Sequence, residues 1–501
     1  IFSDDERYII SLENLKIRVF RVDTSFNVTL AATVTQDTSN AALPFTHDNI
    51  HEVTYAQSGD TMFIAHQTFM VRKLVRTGLT SFQVETYTFD QNSANTIVHQ
   101  PYFSFQTPGM TLDPSATSGS GVTFTTSAAY WDTTGSQQGG NYPDSKHIGI
   151  NFRYNDAEFQ ITSVQSATQA TGTVFGNLKR RLKVDSFRTN EGVGTVRVTL
   201  LNHGLSASDA FTIADASAVG GIARSNLNGA RTVAEVIDDN TFTFTAGANA
   251  TSATAGGGTP TLETHAPVTE WAEQSYSALR GFPSAVAFHQ NRLWYGGTIG
   301  QPDGLWASKT ATYFNFDVGD AEDNDALDLT ANVGEIFSIR HLVSNRDLQI
   351  FTTGAELFIP TVANKPVTPA NAQIRRQTPF GSSFVRPTVF DGATLFIQKT
   401  GSAMREFLFS DSEGAYTSVA VSGLAPHLIL DPIQQTSIKG ALNRSESYAF
   451  LINNDGTIAV FYSIRGDKKA GWSLWDPQGK WHSICSVNER LFVVASRDDG
   501  S

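Results

Sequence analysis

Cysteine is almost missing from this chain: Cys485 is the single one in 501 residues. One thiol excludes an intrachain disulfide framework and any metal site built from a cysteine cluster. Long apolar runs are also missing, and none approaches the roughly 20 residues that span a bilayer as a helix. No charged segment followed by an apolar one opens the chain, so no secretory leader is read there. An initiator Met is absent too, and Ile1-Phe2 reads like the middle of a strand. The expectation is a segment of a longer polypeptide, lacking residues at the front and at the back. Positive charge is in short supply, with 36 Lys and Arg against 48 Asp and Glu and a formal net charge of −12. Basic clusters are thin: Lys179-Arg180-Arg181, Arg375-Arg376 and Lys468-Lys469. A protein that grips DNA neutralises phosphates with a basic patch. This balance argues against tight DNA binding, though not against a channel through which DNA slides.

What is present favours strands. The chain carries 34 Phe and 40 Gly, with abundant Thr and Val, and is too long for one compact domain by the usual prior. The most informative stretch runs from Gly281 to Phe316. Ala285, Ala287 and Phe288 lead into a polar tight turn at His289–Arg292, after which Leu293, Trp294 and Tyr295 resume an apolar strand. Gly296 and Gly297 end it, and Leu305–Ser308 follows a Pro302-Asp303-Gly304 turn. Hairpin-linked strands with small and aromatic residues facing inward suit the inner half of a propeller blade, and equally any antiparallel meander.

Apolar strands preceded by a polar turn recur at Met62–Ala65, Arg292–Tyr295, Asp347–Phe351, Thr394–Ile397, Tyr448–Ile452 and Arg490–Val494. From the second onward their spacing is roughly 45–55 residues, the length of a four-stranded blade. The fold expected is therefore all-β: a β-propeller of about six blades, with two inserted small β-domains or barrels. A large two-sheet sandwich is the competing architecture. The propeller is assigned to residues 1–102 and 265–501, its N-terminal strands closing the ring against the C-terminal ones. Within 1–102, Tyr8–Leu12 pairs with Lys16–Arg21, and Asp48–Tyr55 reads as a short helix. Residues 103–182 form one inserted β-domain, with strands at Val122–Thr126, Gly149–Arg153, Phe159–Val164 and Gly172–Phe175. Residues 183–264 form the second. Its order of Val196–Leu200, Asn202-His203-Gly204, Ala210–Ile213, Arg231–Ile237, Asn240–Phe244 and Gly256-Gly257-Gly258 resembles a small β-barrel module. That module was first described in ubiquitin-activating enzymes and is found also in phage structural proteins. No adenylation or Cys domain accompanies it here, and the glycine triplet lacks the Lys-Ser/Thr of a phosphate cradle.

The spelling of the central stretch goes further than its pattern. Phe282-Pro283-Ser284-Ala285-Val286, Phe288-His289, Arg292-Leu293, Trp306-Ala307-Ser308-Lys309 and Tyr313-Phe314-Asn315-Phe316 resemble the tail nozzle family, also called tail tubular protein B, of short-tailed bacteriophages. Asp323-Asn324-Asp325-Ala326-Leu327, the segment Asp60–His66, Gly354-Ala355-Glu356-Leu357 and Pro379-Phe380-Gly381-Ser382 extend the resemblance in order. Together they cover most of the chain outside residues 103–265. The resemblance implies a structural virion protein of the phage tail and no enzyme. It implies a homohexameric ring below a tail adaptor, with tail fibres or tailspikes at the rim and double-stranded DNA ejected through the channel. No cofactor and no metal are expected. Phe282, Pro283, Arg292, Leu293, Trp294, Trp306 and Phe316 are read as a structural anchor, with both tryptophans buried. The acidic loop of Asp317, Asp320, Glu322, Asp323, Asp325 and Asp328 is the candidate lining of that channel, where one acidic position would recur on every subunit; the outer rim is its alternative place.

Other chemistry finds little footing. A carbohydrate-binding or glycan-cleaving propeller is the alternative, and cleavage would need paired carboxylates or an Arg cluster with a Tyr nucleophile. Asn453-Asn454-Asp455-Gly456-Thr457 reads as an ordinary hairpin turn. The acidic loop lacks the glycine and terminal Glu of an EF-hand, and His482 with Cys485 lacks the second pair of a zinc site. Nucleophile-elbow and P-loop patterns are absent. Arg465-Gly466-Asp467 spells an adhesion tripeptide within a strand connection. Trp472, Trp475 and Trp481 suit sugar stacking, but aromatics at blade edges are more often core.

Overall fold

A computed structural model describes residues 6–155, 157–331, 334–361, 365–440 and 445–497. The chain divides into two compact units, Ile1–Thr88 with Arg280–Ser501, and Phe89–Leu279.

The first unit is a β-propeller. Five of its sheets are four-stranded antiparallel meanders whose strands neighbour one another in chain order. They begin at Thr54, Ala285, Ile339, Thr388 and Gln434 and end at Thr86, Thr330, Thr378, Ala420 and Trp475. Where about six blades were expected, the described residues add two smaller sheets: a three-stranded one over Arg7–Val34 and the hairpin Gly479–Val487 with Arg490–Arg497. These two meet where Arg7 and Arg490 both lie over the ring of Phe26, at 5.8 and 5.0 Å from its centroid.

Each recurring apolar strand of the sequence is the second strand of its sheet. That position has a hydrogen-bonded neighbour on either edge and a packed sheet on either face. Arg292–Gly296, Leu348–Thr352 and Ala393–Ile397 are accordingly buried at every residue. Arg490–Arg497 is the exception: no third strand pairs with it among the described residues, and most of it is exposed. The turn before Arg292 is a two-residue hairpin turn with Gln290 and Asn291 both at positive φ, 49° and 58°. Asn tolerates that region; Gln290 is held there by its side chain, whose Oε1 accepts from the Val367 N–H at 2.6 Å.

One local expectation fails in this unit. Residues 48–52 form turns, and Thr54–Ser58 is a strand, where a short helix was read. The Asn49 amide accepts from the Thr46 N–H and donates to the Pro44 carbonyl, both at 2.9 Å, so a side chain supplies partners that a helix would have taken from its own backbone.

The second unit has two cores. A seven-stranded sheet runs Tyr102–Phe103, Trp271–Gln274, Asn151–Tyr154, Ala157–Ser166, Gln169–Asn177, Ser118–Thr126 and Leu112–Pro114. Phe124, Phe159 and Phe152 stack along it at centroid spacings of 3.9 and 5.3 Å. Trp271–Gln274 pairs with both Tyr102–Phe103 and Asn151–Tyr154, so residues 89–102 and 265–279, read as propeller, belong with the inserted unit. The other core lies between a four-stranded sheet and a five-stranded one and is built from Phe187, Val196, Val198, Phe211, Phe242, Phe244 and Leu262. The single strand expected at Arg231–Ile237 is two, Gly229–Thr232 and Glu235–Asp238, which sit in different sheets. Buried Val233 marks the crossing, its N–H bonded to Asp209 and the next N–H to Thr243 of the other sheet. Gly257 of the glycine triplet has φ +105°, and a Cβ there would lie 2.8 Å from the Phe187 ring, so close packing explains it.

Trp294 and Trp306 are both fully buried. Replacing either with Ala should cost about 3–5 kcal/mol in denaturant unfolding. Trp475, 41% exposed, should cost about 1 kcal/mol or less. Similar losses at all three positions would refute this account of the core.

Candidate functional site

The anchor residues sit where the second four-stranded sheet of the propeller begins, at Ala285. Phe282 enters by donating its N–H to the Gln67 carbonyl at 3.0 Å, and Pro283 is buried behind it. Ser284 follows at the junction of three sheets. Its carbonyl accepts from Thr54 Oγ1 at 2.8 Å, and its own hydroxyl lies 2.6 Å from the Ile339 carbonyl and 3.0 Å from that of Gly296. Trp294 donates its indole N–H to the His289 carbonyl across the hairpin at 3.2 Å. Leu293 exchanges hydrogen bonds with Ser308, through backbone and hydroxyl alike. Phe316 is buried and stacks on Tyr295 at 5.6 Å.

Arg292 is the charged member of the anchor. Its side chain is buried, only 1% exposed, and its guanidinium donates to three carbonyls: Ser308 at 2.8 Å, Asp323 at 2.7 Å, and Asp325. Burial lowers the affinity of this cation for its proton, and the nearby Asp325 carboxylate works the other way. The planar fork matches a curved run of carbonyls in a way that a lysine would not.

This places the acidic loop. It joins the third and fourth strands of its sheet, Gly304–Ala307 and Leu327–Thr330. Asp325 is buried, accepting from Lys309 Nζ at 2.9 Å and from the Glu322 N–H at 2.9 Å. Burial works against its charge, but the Lys309 ammonium and backbone N–H donors outweigh it and hold the carboxyl below its usual range. Asp317 is half-buried, 3.7 Å from the same ammonium. Asp320, Glu322 and Asp323 are exposed. Of the six acids two fasten the loop and three face outward from it, while Asp328 lies in the strand that follows, where burial raises its carboxyl to about 7 and the Trp306 indole opposes the shift. Among the described residues no group of three or more His, Cys, Asp or Glu side chains is placed to hold a metal ion.

The remaining candidates separate. His482 bonds Ser496 Oγ at 2.8 Å, and burial pushes the Cys485 thiol up to about 11, far from a reactive thiolate. Arg465 of the Arg-Gly-Asp tripeptide is paired with Glu406. Trp472 packs on Phe461 and donates to the Val421 carbonyl at 3.0 Å, while Trp475 contacts Trp481 at 5.9 Å.

Sequence reasoning missed a set of buried polar residues along the junctions between sheets. Glu356 is fully buried, accepting from Thr378 Oγ1 and from the Phe380 N–H at 3.4 Å; burial raises its pKa, with those donors opposing. Thr394 donates to Gln349 at 2.6 Å, and Tyr416 to Asp347 at 2.9 Å. His289 pairs with Ser344 Oγ at 2.9 Å, and His341 with the Ser383 carbonyl at 3.0 Å. Isolated polar residues inside otherwise apolar strands were the available signal.

Arg292→Met leaves three carbonyls without their donor, each worth about 1–3 kcal/mol when buried. The variant should be strongly destabilised and cut faster by protease between residues 318 and 324. Lys309→Ala, at a partly exposed pair, should cost about 1 kcal/mol or less; the reverse order would refute the fastening role. Burial holds His289 down to about 4 and His341 to about 3, against 6.5 ordinarily; Asp347 opposes the shift at His289, while the Arg386 and Arg340 charges add to it at His341. Folded values below the unfolded one mean that the stability from these rings is complete above pH 6.5 and is lost as pH falls toward 4 and 3. By about pH 5, before most carboxylates titrate, each histidine should cost about 2 kcal/mol relative to pH 7. Unfolding of the wild type and of His289→Gln/His341→Gln across that window checks this: the variant's pH slope should flatten.

No family model matches the chain, and no curated protein matches it. Solved structures do show likeness. The chain is similar to Citrobacter koseri AztD, with 11% identity over 98% of this chain and 97% of that one, TM-score 0.28. It is similar to BamB from Moraxella catarrhalis, with 11% identity over 90% and 92%, TM-score 0.28. With phage phi92 endosialidase it shares 10% identity over 84% of this chain, spanning 56% of that protein, TM-score 0.19. At TM-scores this low the likeness carries no argument, and the β-propeller assignment of the first unit rests on its own four-stranded meanders.

Proposed function

We propose that this chain is a structural virion protein: a subunit of the ring-shaped nozzle of a short phage tail, through which DNA is ejected. The observation that carries the reading is a convergence. The segments that resemble the nozzle family lie far apart in sequence, yet in the propeller they pack against one another. Phe63 of the early segment lies 5.5 Å from Phe288 and 6.2 Å from Phe314, ring to ring. Phe282 bonds the Gln67 carbonyl that follows the same segment. Glu356 of one later segment bonds the Phe380 N–H of the next. Spelling shared with a family is here the spelling of packed junctions between neighbouring sheets, which suits a load-bearing scaffold. On this reading six copies close a ring below a tail adaptor, fibres or tailspikes attach at its rim, and the chain has no catalytic role of its own.

Negative-stain microscopy with light scattering tests it. A closed ring with a mass near six times 54.3 kDa is the expected result. A monomer at every concentration would overturn the ring, and release of sugar from a glycan would favour the carbohydrate-cleaving alternative.

A further inference from the structure

Arginines that the sequence scatters come together at one junction between propeller sheets. Residues 380–386 lead from the fourth strand of one sheet, Arg375–Thr378, to the first strand of the next, Thr388–Phe390. Three guanidiniums are fastened to this one segment. Arg405 lies over the Phe380 ring, 3.2 Å from its centre, and its Nε donates at 2.8 Å to Gln398, whose backbone bridges to Ser382. Arg340 lies over the Phe384 ring at 3.7 Å and donates to the Ser382 carbonyl at 3.1 Å. Arg386 itself lies over the Tyr55 ring at 3.7 Å and donates to the Tyr55 carbonyl at 2.9 Å. Seven residues span at most about 25 Å when extended, so the three charges form a short row.

The row lacks its anions. Arg72, Arg153, Arg346 and Arg465 each have a carboxylate at ion-pair distance, and among the described residues none of these three has one. Glu52 is near enough to act on Arg340, and buried Glu356 on Arg405, yet burial still loosens the hold of both guanidiniums on their protons. Arg386 is exposed, and the Phe384 and Tyr55 residues that carry the row are 40% and 43% exposed. Arg340 and Arg405 each keep a terminal nitrogen that donates to nothing and is not closed off from solvent. A guanidinium laid flat on a ring keeps its edge free for a carboxylate or a phosphate.

The complement is carried by the chain itself. The acidic loop bears three exposed carboxylates, Asp320, Glu322 and Asp323, on a backbone clasped by Arg292. It cannot reach the arginine row of its own copy. In an antiparallel meander the connections from first to second strand and from third to fourth lie at one end of the sheet. The connection from second to third, and the one that leaves for the next sheet, lie at the other. The acidic loop is of the first kind and residues 380–386 are of the second, so they sit at opposite ends of the propeller. Between two copies the same surfaces are free to meet. Such a contact joins two different patches, the kind that repeats head to tail and can close into a ring. We infer that the row of Arg340, Arg386 and Arg405 receives the acidic loop of a second copy, with Asp320, Glu322 and Asp323 as its anions. The inference rests on the reading of the chain as a ring subunit and names the contact that joins neighbours. Both surfaces are held in place before they meet, so little ordering is lost on contact.

The test uses the full chain, with sedimentation and negative-stain microscopy at about 0.05 and 0.5 M salt, a range over which exposed charges become screened. The wild type should associate at the lower salt and more weakly at the higher. Arg340→Glu/Arg386→Glu and, separately, Asp320→Lys/Glu322→Lys/Asp323→Lys should each weaken self-association about 100-fold or more, since like charges then oppose. Mixed in equal amounts, the two variants should associate again, because each offers the charge that the other needs. Thermal unfolding identifies a row variant that misfolds, and the loop variant, which alters exposed side chains alone, can sink the idea by itself. A ring that survives the loop reversal, or a mixture of folded variants that stays apart, overturns the contact and leaves the nozzle reading standing. A wild type that is monomeric throughout overturns both. Row reversal that abolishes binding of a DNA duplex while self-association persists would give the row to nucleic acid, and that too overturns the inference.

Discussion

Three sheets of the propeller meet at one residue. Ser284 receives the Thr54 hydroxyl of the sheet before it, and its own hydroxyl reaches the Ile339 carbonyl of the sheet after it. Where the first strand of a blade is buried between its neighbours, as at Thr54, a polar group cannot turn to solvent. Every such group must find a partner on the adjoining sheet. Apolar packing supplies the bulk of the junction: Ala285, Trp294 and Leu305 share one core with Ile339, Leu342 and Ile350. That packing is tolerant of small slides. Hydrogen bonds such as Thr394 to Gln349, or His341 to the Ser383 carbonyl, are not, and they set the register of one blade against the next.

That division explains what could be read from the sequence. The second strand of each sheet stands out because burial on both faces demands an unbroken apolar run, and a tight turn such as Gln290-Asn291 must precede it. The outer strands are half-exposed and carry no such mark. The border of the inserted unit was misplaced for the same reason. Trp271–Gln274 alternates buried and half-buried residues, a pattern shared by propeller and insertion alike, and only its pairing with Asn151–Tyr154 decides between them. Turns at 48–52 and the crossing at Val233 were missed because one side-chain amide and one change of sheet leave no periodic trace.

Arg292 shows the limit most sharply. Its place in the anchor was legible, but its task was not. The partners are backbone carbonyls 16, 31 and 33 residues downstream, and a carbonyl has no spelling. A buried guanidinium is costly unless several acceptors surround it. Here it is offset by fixing a loop that would otherwise repel itself, with Asp325 turned inward onto Lys309 as the second clasp.

The consequence bears on charge. Counting carboxylates along Asp317–Asp328 suggests a dense anionic band, yet Asp325 is neutralised internally and Asp317 shares the same ammonium. The field that this loop projects comes from Asp320, Glu322 and Asp323, since burial raises the Asp328 carboxyl, in the strand that follows, to about 7. Those three are held by a clasp that solvent and salt barely reach at Arg292, so their spacing is set by the fold and not by mutual repulsion. In a symmetric assembly such spacing would repeat on every subunit wherever the loop came to lie. Whether the loop lined a channel, a rim or a contact between copies, what its partner met would be decided by these exposed carboxylates, and their positions are set by a cation that the partner never touches.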